Sequence, residues 1–109
     1  MLCAASSTLG CASPTLPLPP PSIPEVASGP DADHVTLISP CGGVESGATV
    51  VVVNQNSSIP GDERAAASIA DGCGAWTAVI FAHSGDWLEV WQESGTSTGT
   101  SVEFEVGAP

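Results

Sequence analysis

Ser46-Gly-Ala-Thr-Val-Val-Val-Val-Asn54 decides how this chain folds: a glycine turn feeds four consecutive valines and closes on an asparagine. β-Branched side chains are stiff at χ1 and pack well on a pleated surface, so the run predicts a buried strand. Alternation turns Ala48, Val50 and Val52 to one face, taken as the core face, and Thr49, Val51 and Val53 to the other.

Working outward, residues 35–39 read as a short strand stopped by Pro40-Cys41-Gly42-Gly43, and residues 55–63 as a polar loop. Residues 64–70 are ambiguous. Their alanines, between Asp62 and Gly72, read locally as a capped helix, with a strand of the same length as the rival. Asp71-Gly-Cys-Gly74 turns into a strand over residues 75–82, and His83-Ser-Gly85 turns the chain again. Residues 86–93 alternate, with Leu88, Val90 and Gln92 on one face and Trp87, Glu89, Trp91 and Glu93 on the other. The loop from Gly95 to Gly99 then leads to Val102, Phe104 and Val106, which alternate with Glu103 and Glu105. Short strands at even spacing predict an all-β fold, a small antiparallel sandwich of six to seven strands.

Glu45-Ser-Gly-Ala-Thr-Val, Ala70-Asp-Gly-Cys-Gly-Ala-Trp, Gly85-Asp-Trp-Leu-Glu-Val and the closing Val102-Glu-Phe-Glu-Val resemble the pattern of bacterial immunoglobulin-like domains. The likeness covers residues 33–107 and implies an Ig-like β-sandwich. In that family the segment before the aspartate-glycine turn is a strand, which favours a strand over residues 64–70.

Residues 12–32 hold seven prolines and read as an extended, disordered spacer. Residues 1–11 are small and apolar, like the end of a signal peptide. Thr8-Leu9-Gly10-Cys11 resembles the lipobox of bacterial lipoproteins, which implies a lipid anchor on Cys11 and a place in the cell envelope, at the outer membrane or secreted. With Cys3 leaving in the signal and Cys11 taking lipid, Cys41 and Cys73 remain as a pair for a disulfide in an oxidising compartment. Chain direction agrees: strands at 35–39 and 64–70 both run toward the end where those cysteines sit.

Twelve acidic residues face one arginine and no lysine, a formal charge of −11 that makes nucleic acid a poor partner. Gly95-Thr-Ser-Thr-Gly99 has the spacing of a hydrolase nucleophile elbow but lies between strands, where it reads as a hairpin loop. His34 and His83 lack zinc-ligand spacing, and Asp31-Ala-Asp33 lacks the rest of a calcium loop. No catalytic residue, metal or cofactor is therefore expected. The candidate contact is Trp87, Glu89 and Trp91: large aromatics favour burial, which the carboxylates of Glu89 and Glu93 on the same face oppose, and rings left exposed and framed by acid suit a carbohydrate or a basic protein.

Overall fold

A computed structural model of the chain describes residues 18–107. Four consecutive β-branched residues do form the central strand, β3 (Thr49–Asn54), and its Ala48, Val50 and Val52 side is completely buried. Before it come β1 (Glu25–Ser28) and β2 (His34–Ser39); after it come β4 (Ala65–Ile69), β5 (Trp76–Phe81), β6 (Trp87–Ser94), β7 (Ser97–Thr98) and β8 (Val102–Glu105). One antiparallel sheet runs β1-β2-β5; the other runs β4-β3-β6, with both β7 and β8 paired to β6. The strand reading of residues 64–70 holds. Ala65 to Ile69 pair with Val53 to Thr49, and the only helical turn among the described residues is a 3-10 turn at Gly61–Glu63.

The inward residues of each strand meet in one core. Leu37 from β2, Val50 and Val52 from β3, Trp76, Ala78 and Ile80 from β5, Leu88 and Val90 from β6 and Phe104 from β8 are all buried there. Truncating one of the larger aliphatics would remove both its transfer free energy and its packing partners.

Sheet structure begins earlier than residue 33, inside the stretch expected as a spacer, and the strand count among the described residues is eight. Pro24 and Pro30 bracket β1 but do not interrupt it, and an edge strand needs pairing on one side only. The preceding prolines are also held. The side chain of Gln92, 1% exposed, accepts from the Glu45 N–H at 2.8 Å and donates to the Pro19 carbonyl at 2.9 Å. Ser22 N–H donates to the Gly43 carbonyl and Thr100 N–H to the Leu18 carbonyl. Residues 18–24 are thus bound to the sandwich, not free of it.

The two ends of the sandwich are closed differently. At one, a disulfide joins Cys41 to Cys73 with their Cα atoms 4.9 Å apart, as the cysteine count and chain direction predict. It lies just beyond the last β2–β5 pair, Ser39 opposite Trp76, and Gly42 N–H donates to the Cys73 carbonyl beside it. Gly74 has φ +82°, and a Cβ there would fall 2.2 Å from the Val44 carbonyl oxygen, so this crossing needs glycine. The other end is closed by Asn54, the last residue of the valine strand.

Candidate functional site

Asn54 is completely buried and reaches across the sandwich. Its Nδ2 donates to the Phe81 carbonyl of the opposite sheet at 2.9 Å and to Asp86 Oδ2 at 3.0 Å; its Oδ1 accepts from the Asn56 N–H at 2.9 Å. Asp86 also accepts from Asn56 Nδ2 and the His83 N–H. Burial pushes its carboxyl up, but the His83 N–H and the Asn54 and Asn56 amides outweigh that and hold it below the usual carboxylate range. This network fixes the start of β6.

Alternation then sorts that strand. Leu88, Val90 and Gln92 point inward and are buried, and Trp87, Glu89, Trp91 and Glu93 lie on the opposite face, as the alternation predicts; that face is the outer one, so the burial that large aromatics favour is not reached by Trp87. Trp87 is 47% exposed. Trp91, Glu89 and Glu93 are half-buried, and Trp91 Nε1 donates to Glu93 Oε2 at 2.8 Å, which ties that ring down. The three candidate contact residues share one face, but Trp87 alone of the two tryptophans is freely presented.

Register shows what surrounds them. Trp87 is opposite Glu105, and Glu89 is opposite Glu103 on β8 and Val53 on β3. Trp91 is opposite Val51, which is opposite Ala67; Thr49 is opposite Ile69, which is 75% exposed. The outer face therefore has an acidic half on β6 and β8 and an apolar half on β3 and β4. The sequence pattern placed these residues on alternate faces but could not show which strands lie side by side. A hollow of about 390 Å³ beside Trp87 is lined by Gln55, Asn56, Gly85 and Asp86, with Gln55 Nε2 donating to Glu103 Oε2 at 2.9 Å.

Other motifs resolve into structural parts. Gly95 and Thr96 are the turn of the β6–β7 hairpin, since Ser94 pairs with Ser97, so Ser97 sits in a strand. His34 and His83, far apart in sequence, flank Phe81 with centroids 5.4 and 5.2 Å away, an arrangement no local spacing announces. Each binds its own carboxylate: His34 Nδ1 donates to Asp31 at 2.7 Å and His83 Nε2 to Asp33 at 2.9 Å. The His34 hydrogen bond and the Asp33 N–H lower the Asp31 pKa. Among the described residues no three His, Cys, Asp or Glu side chains are grouped to hold a metal. A cleft of about 540 Å³ opens between the sheets nearby, over Val26, Val35, Ala82 and Val106. Cys11 lies outside the described residues. The chain matches no family model, no curated protein and no solved structure.

Proposed function

We propose that this chain is a non-catalytic binding module of the bacterial cell envelope, anchored through lipid on Cys11 and making contact through the outer face around Trp87, Glu89 and Trp91. The half-exposed Trp87 carries the reading: a large aromatic left in water costs hydrophobic free energy that a partner would recover. The Ig-like assignment is supported by the strand order, in which the chain changes sheet after β2, after β4 and again after β5. Capture experiments on envelope extracts with wild type and the Trp87→Ala/Trp91→Ala double variant test the face; unchanged capture refutes it. Mass spectrometry of native protein tests the anchor, and an unmodified Cys11 removes it.

One observation favours a second reading, a structural subunit of a larger envelope or adhesion assembly. Strand β4, Ala-Ala-Ala-Ser-Ile, is hydrogen-bonded on one side only, to β3, and carries no charge and no proline to discourage pairing. The bonds from Asn54 N–H to the Arg64 carbonyl and from Ala70 N–H to the Ala48 carbonyl set the ladder phase. In that phase the backbone groups of Ala65, Ala67 and Ile69 point away from β3, where a strand of a neighbouring subunit could add.

A further inference from the structure

The partner class can be read from the face itself, given the binding-module reading on which this inference rests. We propose that the outer face of the five-stranded sheet docks a cationic amphipathic segment of a partner protein. Its Lys and Arg side chains settle between Trp87 and the carboxylates of Glu89, Glu103 and Glu105, and its apolar side chains lie on Val51, Val53 and Ala67.

Three observations converge on that occupant. First, Glu89 and Glu103 stand directly opposite each other on adjacent strands, a like-charge pair that costs stability unless a cation comes between them. The chain cannot supply one. Its single Arg64 precedes β4, two strands away from β6, and there is no lysine. Second, Trp87 is opposite Glu105, so an ammonium or guanidinium over the exposed ring meets the aromatic face and a carboxylate together. Third, the apolar half is continuous with the acidic half, through Val53 beside Glu89 and Val51 beside Trp91. A partner must be basic and apolar along one segment to cover both.

The same features reject other occupants. A second copy would bring another −11 charge against the first, and nucleic acid is repelled by the same acid. A neutral saccharide would stack on Trp87 but leave Glu89 and Glu103 opposed. Three strand spacings by six residues give a face of roughly 14 by 20 Å, small against the ~800 Å² that each side of a stable complex buries, so binding is weak and salt-sensitive.

The test uses the full chain, in detergent if lipidated, and tryptophan fluorescence. The probes are a synthetic peptide alternating Lys or Arg with Val, its counterpart with Glu replacing each cation, and a chitin oligosaccharide. The cationic peptide is expected to bind with micromolar affinity and the acidic one not at all. Glu89→Gln/Glu103→Gln should weaken binding about tenfold, whereas Glu25→Gln/Glu45→Gln, which removes the same charge elsewhere, should change it less than about twofold. Equal weakening by the two pairs means that net charge alone attracts the peptide and overturns the proposal, as does absence of peptide binding. Oligosaccharide binding lost in Trp87→Ala, with no peptide binding, removes the cationic partner and leaves the binding module standing. No Trp87-dependent binding of any probe removes both. A dimer in sedimentation that Trp87→Ala dissolves makes a second copy the occupant, again overturning the proposal.

Discussion

The two ends of this sandwich are held by different chemistry. At the cystine end the link is covalent, and Asp71 fixes the turn beside it by accepting from the N–H groups of Cys73 and Ala75 at 2.9 and 3.1 Å. At the Asn54 end the link is a set of exchangeable hydrogen bonds through Asn54, Asn56 and Asp86. Trp87, the hollow beside it and the open cleft between the sheets all lie at the second end. The difference teaches a division of labour. A domain with so thin a core needs one end locked, and locking it there leaves the other free to carry polar groups whose arrangement serves contact as well as folding.

Breaking the cystine end should have the largest effect. Closing a loop across 32 positions removes denatured-chain entropy corresponding to about 3.5 kcal/mol, so reduction should lower the denaturation midpoint by that equivalent. The Cys41→Ala/Cys73→Ala variant should match reduced wild type. Equal midpoints with and without reductant would break the comparison, because neither end would then be special.

Next comes the Asn54 end. Asn54→Ala leaves the Asn56 N–H, the Phe81 carbonyl and one side of Asp86 without their buried partner, and should cost about 2 to 3 kcal/mol in urea denaturation. A loss under about 1 kcal/mol would mean that water replaces the amide and that this end is held by apolar contact instead.

Acid separates the ends further. Asp71 is held below its ordinary value by the N–H groups of Cys73 and Ala75; Asp86 is also low despite its burial, through the His83 N–H and two amides. A carboxyl whose folded pKa lies below its unfolded value stabilises the fold above that unfolded value, and the contribution disappears as pH falls through the folded one. Both ends should therefore weaken below about pH 4, with the cystine keeping its own end connected. Asp71→Asn and Asp86→Asn should each flatten the acid limb of stability against pH. An acid limb identical in wild type and both variants would show that the loss arises elsewhere.

How much of this was legible in the sequence follows from the range of each signal. The valine face, the alternation of β6, the cystine and the Gly95 hairpin were readable because period-two patterning, cysteine count and turn residues are local or countable. Residues 25–28 were hidden by prolines on both sides, although their partner is the very next strand, His34–Ser39, across a short connection that itself carries Pro30. Asn54 and Gln92 were missed as keystones because their partners are distant: an amide ending or interrupting an apolar alternation reads as a strand end until its partners across the sandwich are known. At the candidate site the sequence put Trp87, Glu89 and Trp91 on one face, but the opposition of Glu89 to Glu103 depends on β6–β8 register and became visible only in the fold.

That opposition gives the smallest prediction, and one of opposite sign. The changes at Cys41, Cys73, Asn54, Asp71 and Asp86 each remove something that holds an end together; Glu103→Gln should remove something that strains one. Two carboxylates directly across a strand pair repel, so neutralising one should raise stability by about 0.3 kcal/mol at low salt and by less as salt screens the pair. The substitution keeps an oxygen acceptor for Gln55 Nε2, so the existing 2.9 Å hydrogen bond need not be lost. A gain in midpoint that shrinks with added salt, paired with weaker binding of a cationic peptide, would show that the Asn54 end carries a charge arrangement unfavourable to folding and useful only in contact. A loss of stability instead would mean that the Glu103 carboxylate supports the β6–β8 edge, and the two ends would then differ in bond type but not in purpose.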